Sequence, residues 1–149
     1  RCNNFENTMR RLLELGAIPI INENDSIATN EIVIGDNDTL GAIVATTLNA
    51  DLLIILSDID GLFTSDPRKN KDAVLLHTVK EITPEIEEMT GGAGSALGTG
   101  GMATKINAAK IANKKGVDMV IANGSDPVIL YDIVDGKDIG TRFISRKDN

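Results

Sequence analysis

An unbroken run of five apolar residues at positions 52–56 limits the possible folds of this chain more than any other part of its sequence. A strand with one exposed face alternates apolar and polar side chains, whereas a strand covered on both faces is apolar throughout. Strands of the second kind are typical of parallel sheets, because helices lie on each side of them. The run therefore predicts a mainly parallel sheet between two layers of helices.

The remaining segments predict an alternation of short strands and helices. We expect helices over residues 4–15, 39–49, 84–90, 102–115 and 126–135. We expect strands over residues 17–22, 31–34, 51–57, 74–79, 117–122 and 142–144, and residues 62–64 are a candidate for a further short strand. Asp36 or Asn37 has the short acceptor side chain that caps a helix N-terminus. The alternation indicates an α/β fold, a three-layer αβα sandwich with a mainly parallel sheet.

The acidic composition narrows the classes of partner. The chain has 149 residues, enough for one domain, with 15 Lys and Arg against 22 Asp and Glu, a formal net charge of −7. Duplex nucleic acid and anionic membranes attract basic surfaces, so we expect neither as a partner. The single cysteine, Cys2, cannot form an intrachain disulfide, and no apolar run approaches the roughly 20 residues of a membrane span. We therefore expect a cytoplasmic location.

Polar residues follow four of the predicted strands, at residues 22–25, 35–38, 57–58 and 123–125. The carboxyl ends of parallel strands share one edge of the sheet, and such sheets bind their ligands at that edge. Carboxylates gathered there would repel one another unless a substrate amine, a magnesium ion or a lysine lay between them. We therefore expect a ligand site at this edge, although Asn, Asp, Gly and Ser are also ordinary turn residues.

A glycine-rich segment, residues 91–101, precedes the predicted helix that contains Lys105. Glycines let backbone amides approach an anion, and a helix N-terminus favours negative charge. A lysine in the first helical turn is unfavourable for stability unless it faces an anion such as a phosphate. The spacing is neither a Walker A motif, because Thr104 precedes the lysine, nor a dinucleotide-binding turn, because no strand precedes the glycines. The segment therefore indicates a phosphate site or, alternatively, a flexible linker with a solvated lysine.

Five stretches of the sequence together resemble the amino-acid kinase family and, within it, the glutamate 5-kinases. They cover almost the whole chain in the family's order: residues 18–29 (IPIINENDSIAT), 34–45 (IGDNDTLGAIVA), 52–68 (LLIILSDIDGLFTSDPR), 98–109 (GTGGMATKINAA) and 121–127 (IANGSDP). Other kinases of the family share single stretches, whereas the combination of NEND, GDND and GTGGM-T-K is more specific to the glutamate kinases. The resemblance implies an amino-acid kinase-like fold.

The resemblance also implies roles for individual residues. Asp25 and Asn37 are similar to the family's glutamate-binding pair, with Asp25 suited to the substrate ammonium. Asp38 is similar to the aspartate that orients the catalytic lysines, and Ser57 and Asp58 are similar to nucleotide-binding residues. Seven consecutive residues resemble the ATP-binding loop: Thr99, Gly100, Gly101, Met102, Ala103, Thr104 and Lys105.

The activity implied by the resemblance is ATP-dependent phosphorylation of the γ-carboxylate of L-glutamate, the first step of proline biosynthesis. Lys105 would be a catalytic lysine on the phosphates, and Mg²⁺ would arrive with ATP. A carboxylate is already ionised, so its phosphorylation needs positioning and charge neutralisation rather than a general base. The only histidine, His77, is therefore expected to have no catalytic role. The expected partners are glutamate, ATP and further copies of the chain in a homo-oligomer.

The same resemblance implies that residues 1–149 form part of an amino-acid kinase domain, namely the nucleotide-binding portion and part of the glutamate pocket. Family members also have a preceding strand, a second glycine-rich loop with another catalytic lysine, and a serine-containing substrate loop, which we do not find in this sequence. We therefore expect these residues alone to have little or no kinase activity. We also expect an apolar sheet edge that promotes self-association.

Three other functions stay open from the sequence. A sister kinase would act on acetylglutamate or uridylate, although NEND and GDND favour glutamate. The residues are also compatible with the kinase portion of a bifunctional pyrroline-5-carboxylate synthase. The third function is a non-catalytic nucleotide-binding or assembly module, which binding of ATP without turnover would identify.

Overall fold

The computed structural model describes residues 2–22, 35–90 and 100–146. Its helices are α1 (Cys2–Glu14), α2 (Asn37–Thr47), α3 (Pro84–Glu88), α4 (Gly100–Lys114) and α5 (Ile129–Val134). Its strands are β1 (Leu52–Ser57), β2 (Thr78–Val79), β3 (Asp118–Asn123) and β4 (Thr141–Phe143). In this part of the chain, no helix has the length and apolar character needed to span a membrane.

The four strands form one sheet in the order β1-β3-β4-β2. β1 and β3 are parallel over six residue pairs, from Leu52 opposite Asp118 to Ser57 opposite Asn123. β2 and β4 are also parallel, whereas β3 and β4 are antiparallel. The sheet is therefore mixed but mostly parallel, which confirms the prediction from the apolar run.

Successive residues of β3 pack into two separate cores, one on each face of the sheet. Met119 and Ile121 lie in the larger core, and Val120 and Ala122 lie in the smaller one. Helices α2 and α4 contribute to the larger core, and α5 contributes Ile133 to the smaller one. Helices therefore cover both faces, as the three-layer prediction requires. β3 is apolar from Met119 to Ala122 because both of its faces are buried there.

Short connections place the N-terminal ends of α2 and α4 near the carboxyl ends of β1 and β3. Residues 48–51 join α2 to β1, and residues 115–117 join α4 to β3. Gly116, with φ at +83°, ends α4 in a left-handed conformation that favours glycine. Each helix then runs back along the strand that follows it, and the two strands are parallel. Both helices therefore begin at the sheet edge where the sequence predicts a ligand site.

The prediction of a strand over residues 17–22 is wrong. The segment has no strand structure, and the side chains of Ile18 and Ile20 are 88% and 96% exposed. Pro19 has no N–H to donate to a sheet ladder, and no described strand pairs with the segment. An apolar run indicates a strand only where a partner strand is present.

The prediction over residues 74–79 is correct only at its end. Thr78–Val79 form β2, and Leu75 makes a single antiparallel bridge with Phe63, in the further short strand suspected at residues 62–64. The strand predicted at residues 31–34 lies outside the described residues.

Candidate functional site

The centre of the candidate site is an ion pair between α2 and α4. The Lys105 Nζ lies 3.1 Å from the Asp38 Oδ2, and the two side chains are only 13% and 20% exposed. Asp38 is in the first turn of α2, and Lys105 is in the second turn of α4, because α4 begins at Gly100 and not at residue 102 as predicted. Two residues that are 67 positions apart in sequence therefore meet at the starts of neighbouring helices.

Asp36 fixes where α2 begins and so where Asp38 lies. Its backbone is extended, and its Oδ1 accepts a hydrogen bond from the Thr39 backbone N–H at 2.6 Å. Its Oδ2 accepts a second bond from the Thr39 hydroxyl at 2.9 Å. Asp36 is thus the N-cap, one of the two residues that the sequence proposes for this role. The cap places Asn37 and Asp38 in the first turn, where a carboxylate is favoured by the helix dipole.

Thr104 and Gly101 complete the contacts of the ion pair. The Thr104 hydroxyl donates to Asp38 Oδ2 at 2.8 Å, and the backbone oxygen of Gly101 is also 2.8 Å from this hydroxyl. The Lys105 ammonium donates to the Gly101 carbonyl at 3.3 Å. Within the described ranges the ammonium thus has two acceptors for its three N–H groups. One donor is left for an incoming anion.

The carboxyl ends of β1 and β3 bring two of the predicted polar clusters together. Ser57 is opposite Asn123 in the sheet register, and the Gly124 N–H donates to the Ser57 carbonyl at 2.8 Å. The Ser57 hydroxyl donates to Asp58 Oδ1 at 3.3 Å. The Asn123 amide donates to Asp60 Oδ1 at 3.1 Å. Asp60 is absent from the predicted site residues, although its place two positions after Asp58, in a turn after a buried strand, is a signal that could have found it.

The turn after β1 is held in place by a buried threonine that the sequence analysis missed. Thr141, in β4, has no exposed surface, and its hydroxyl accepts a hydrogen bond from the Leu62 N–H at 2.9 Å. The same hydroxyl donates to the Leu76 carbonyl. A Cβ at Gly61 would lie 2.5 Å from the Thr141 oxygen, so this close approach requires glycine. Thr141 therefore links the turn that carries Asp58 to two other segments of the fold.

An exposed loop next to this turn has its own electrostatic arrangement. Asp66 Oδ1 accepts hydrogen bonds from the Arg68 backbone N–H at 2.9 Å and from its guanidinium at 3.2 Å. These bonds to the guanidinium and backbone of Arg68 hold the pKa of the Asp66 carboxyl below its ordinary value. The pair stabilises the shape of a surface loop and has no contact with the Asp38–Lys105 pair.

The remaining predicted site residues are placed as follows. Asp25 and Thr99 lie outside the described residues. Gly101 and Ala103 are exposed at the start of α4, and Gly100 is its first residue. The Met102 side chain is buried in the larger core, so only its backbone faces the helix N-terminus. Their roles in binding stay predictions.

His77 lies away from the ion pair, just before β2. Its Nδ1 is 3.2 Å from the carbonyl oxygen of Gly140 and 3.9 Å from a carboxylate oxygen of Asp138. Both contacts join it to the segment before β4. The absence of a catalytic role for His77 stays a prediction.

A metal centre made of side chains alone is not found in the described part of the chain, where no three His, Cys, Asp or Glu residues are grouped to hold an ion. Mg²⁺ that arrives with a nucleotide is held mainly by phosphates and water, with one or two carboxylates.

Comparisons with known proteins agree with this architecture. A glutamate 5-kinase of Clostridium perfringens is 60% identical over an alignment of 149 positions, which covers 97% of this chain and 55% of that protein. Two solved structures share the fold. UMP kinase from Bacillus anthracis has a TM-score of 0.67 at 19% identity, with 95% of this chain and 52% of that one covered. Carbamate kinase from Giardia lamblia, bound to AMP-PNP, has a TM-score of 0.64 at 27% identity, with coverage of 95% and 49%.

The matches to whole proteins and the match to the family cover different shares of the sequences compared. The chain spans about half the length of the curated relatives that it matches. The amino acid kinase family itself matches residues 2–123, which include α2, β1, α4 and β3 and therefore the whole Asp38–Lys105 arrangement. The chain therefore belongs to the amino acid kinase family.

Proposed function

We propose that the protein carrying this sequence transfers the γ-phosphoryl group of ATP to the γ-carboxylate of L-glutamate. The observation that carries the proposal is the 60% identity to a glutamate 5-kinase across nearly the whole chain. The product is glutamyl 5-phosphate, whose formation is the first step of proline biosynthesis. In the transfer, a carboxylate oxygen forms a bond to the γ-phosphorus while the bond from that phosphorus to the bridging oxygen breaks, and ADP leaves.

Lys105 and the start of α4 supply what phosphoryl transfer needs. Charge spreads over the oxygens of the transferred group in the transition state, so catalysis depends on positioned positive charge. The Lys105 ammonium and the first backbone N–H groups of α4 provide it in our proposal. Asp38 orients the ammonium through the 3.1 Å contact. No general base is required, because the attacking carboxylate is already ionised.

ATP, with its Mg²⁺, is the proposed phosphoryl donor. Carbamate kinase from Giardia lamblia has a related fold and is 27% identical to this chain, and its solved structure is bound to AMP-PNP, an ATP analogue. We assign nucleotide contacts to Ser57 and Asp58 at the end of β1 and to residues 99–105. Asp25 and Asn37 are the proposed glutamate contacts. A homo-oligomer in the cytoplasm is the proposed setting, with no nucleic acid or membrane partner.

A substrate panel tests the proposal. ADP release by the whole protein that carries this sequence, rather than by residues 1–149 alone, is measured with ATP and, in separate reactions, glutamate, aspartate, N-acetylglutamate, carbamate or UMP. We expect release to depend on glutamate and to fall at least 100-fold in the D38N variant, because the ammonium loses its charged partner in the site. Release that depends on UMP or N-acetylglutamate instead would assign the protein to a sister kinase. ATP binding without release on any acceptor would leave a nucleotide-binding module.

A further inference from the structure

We infer that Thr104 is a positioning residue, whose hydroxyl holds the Asp38 carboxylate, and through it the Lys105 ammonium, in place for phosphoryl transfer. The inference rests on the proposed function and deepens it. Thr104 resembles part of the family's ATP-binding loop. Its hydroxyl, however, also donates a hydrogen bond to the carboxylate of Asp38 on the neighbouring helix.

A single carboxylate oxygen of Asp38 accepts hydrogen bonds from both Thr104 and Lys105. Asp38 Oδ2 accepts from the Thr104 hydroxyl at 2.8 Å and from the Lys105 ammonium at 3.1 Å. The two donors are adjacent in sequence, so the same stretch of α4 holds both. The Asp38 and Lys105 side chains are mostly buried, and hydrogen bonds to a partly buried charge are stronger than those between neutral groups.

The hydroxyl has a second acceptor but only one proton. The Gly101 carbonyl, three residues earlier in α4, is also 2.8 Å from the Thr104 oxygen. A charged carboxylate is the stronger acceptor, so the proton goes to Asp38 while that residue is ionised. Removal of the hydroxyl would leave Lys105 as the only partner of Asp38 Oδ2 among the described residues.

The importance of Thr104 grows when Lys105 engages a phosphate. The ammonium is then shared between Asp38 and the transferred group, and its hold on the carboxylate weakens. The Thr104 bond does not compete with the phosphate, so it keeps Asp38 in position at that moment. Loss of the hydroxyl should therefore affect the transfer step more than the initial binding of ATP.

The kinetic test compares Thr104→Val with Thr104→Ser and with a matched threonine. Thr46 in α2 donates to the carbonyl three residues earlier, Ile43, at 3.0 Å, and within the described ranges its hydroxyl has no carboxylate partner. We expect T104V to lower kcat roughly tenfold or more while KM for ATP changes less than about threefold. T104S should recover most of the kcat, and T46V should match the unsubstituted protein. Equal kcat values for T104V and T46V would overturn the inference.

A double substitution tests whether Thr104 acts through Asp38. In a D38N background T104V should cause no further loss of kcat, whereas an undiminished further loss would contradict the inference. If the whole protein that carries this sequence shows no glutamate-dependent ADP release, the proposed function fails, and the contact between Thr104 and Asp38 is then tested by unfolding measurements. The effects of T104V and D38N on the unfolding constant should then be non-additive by roughly threefold or more. Additive effects would overturn the inference.

Discussion

Lys105 lies in the second turn of α4, near the positive end of the helix, and its side chain is only 13% exposed, so its charge is disfavoured there without a partner. The dipole of α4 repels a cation near its start. Asp38 offsets this repulsion through the 3.1 Å ion pair, which is mostly shielded from water. A residue held at an unfavourable position with a dedicated partner is better explained by ligand binding than by stability.

The role of Lys105 is testable by removal of its charge. We expect Lys105→Met to weaken the binding of a fluorescent ATP analogue by roughly tenfold or more, because a charged hydrogen bond to phosphate is lost. Lys110→Met is the matched control. Lys110 is also in α4 and pairs with a carboxylate, Glu87, but it is exposed and lies farther along the helix. Equal affinities for the two variants would remove the phosphate role of Lys105.

Thr141 offers a test of the turn after β1. Thr141→Val keeps the shape of the side chain but leaves the buried Leu62 N–H and Leu76 carbonyl without this partner. We expect the free energy of unfolding, measured with urea, to fall by about 1–3 kcal/mol. Thr141→Ser keeps the hydroxyl and should lose less stability than the valine variant. A valine variant as stable as the parent protein would contradict the role of this hydroxyl.

At the scale of helices and strands, the predictions succeed where local pattern determines the structure. β3 is apolar from Met119 to Ala122 because both of its faces are buried, and its neighbour β1 has a similar apolar run over Leu52–Leu56. The cap at Asp36 is one of the two that the sequence proposes. The prediction of a strand at residues 17–22 is wrong, because a strand forms only beside a partner strand, and the local sequence pattern does not show whether such a partner is present. The antiparallel pairing of β4 is likewise set by contacts distant in sequence.

The start of α2 is the element on which the position of Asp38 depends. We expect Asp36→Ala to lower the free energy of unfolding by about 1 kcal/mol, because the Thr39 N–H loses its acceptor. Asp36→Asn preserves an acceptor and should change stability much less, since asparagine is also a good N-cap. Thermal and urea unfolding measure both variants. Equal losses in alanine and asparagine variants would show that the capping bond is not what stabilises α2.

At the scale of the whole molecule, the described sheet leaves apolar surface near β1. β1 is at one end of the strand order, and a cleft of about 510 Å³ lies between α2, β1 and residues 21–22. Ile18 and Ile20 are almost fully exposed on the segment that leads to this cleft. Exposed apolar surface beside an open strand edge favours association with other chains.

We therefore expect this chain to self-associate as its concentration rises. Light scattering coupled to size-exclusion chromatography would show a mass above 15.9 kDa that increases with loading. The double variant Ile18→Asp and Ile20→Asp should shift the distribution towards the monomer, because charge on this segment opposes apolar contact. A parent chain that stays monomeric at high concentration would contradict this expectation.

The candidate site shows the limit of prediction from one sequence. The polar clusters after β1 and β3 were expected at one edge, because parallel strands end together. The contact between Asp38 and Lys105 joins residues 67 positions apart, so it cannot be predicted from the local sequence pattern. Only the family resemblance linked these two residues in advance. The hydroxyl of Thr104 between them became visible in the structure alone.

The central claim is that the start of α4, with Lys105 and Asp38, holds the phosphates of ATP. A crystal structure of the protein with AMP-PNP and Mg²⁺ tests it most directly. We expect a phosphate oxygen within about 3 Å of the Lys105 Nζ and further oxygens facing the first backbone N–H groups of α4. Phosphates bound elsewhere, with Lys105 still joined only to Asp38 and Gly101, would contradict the claim.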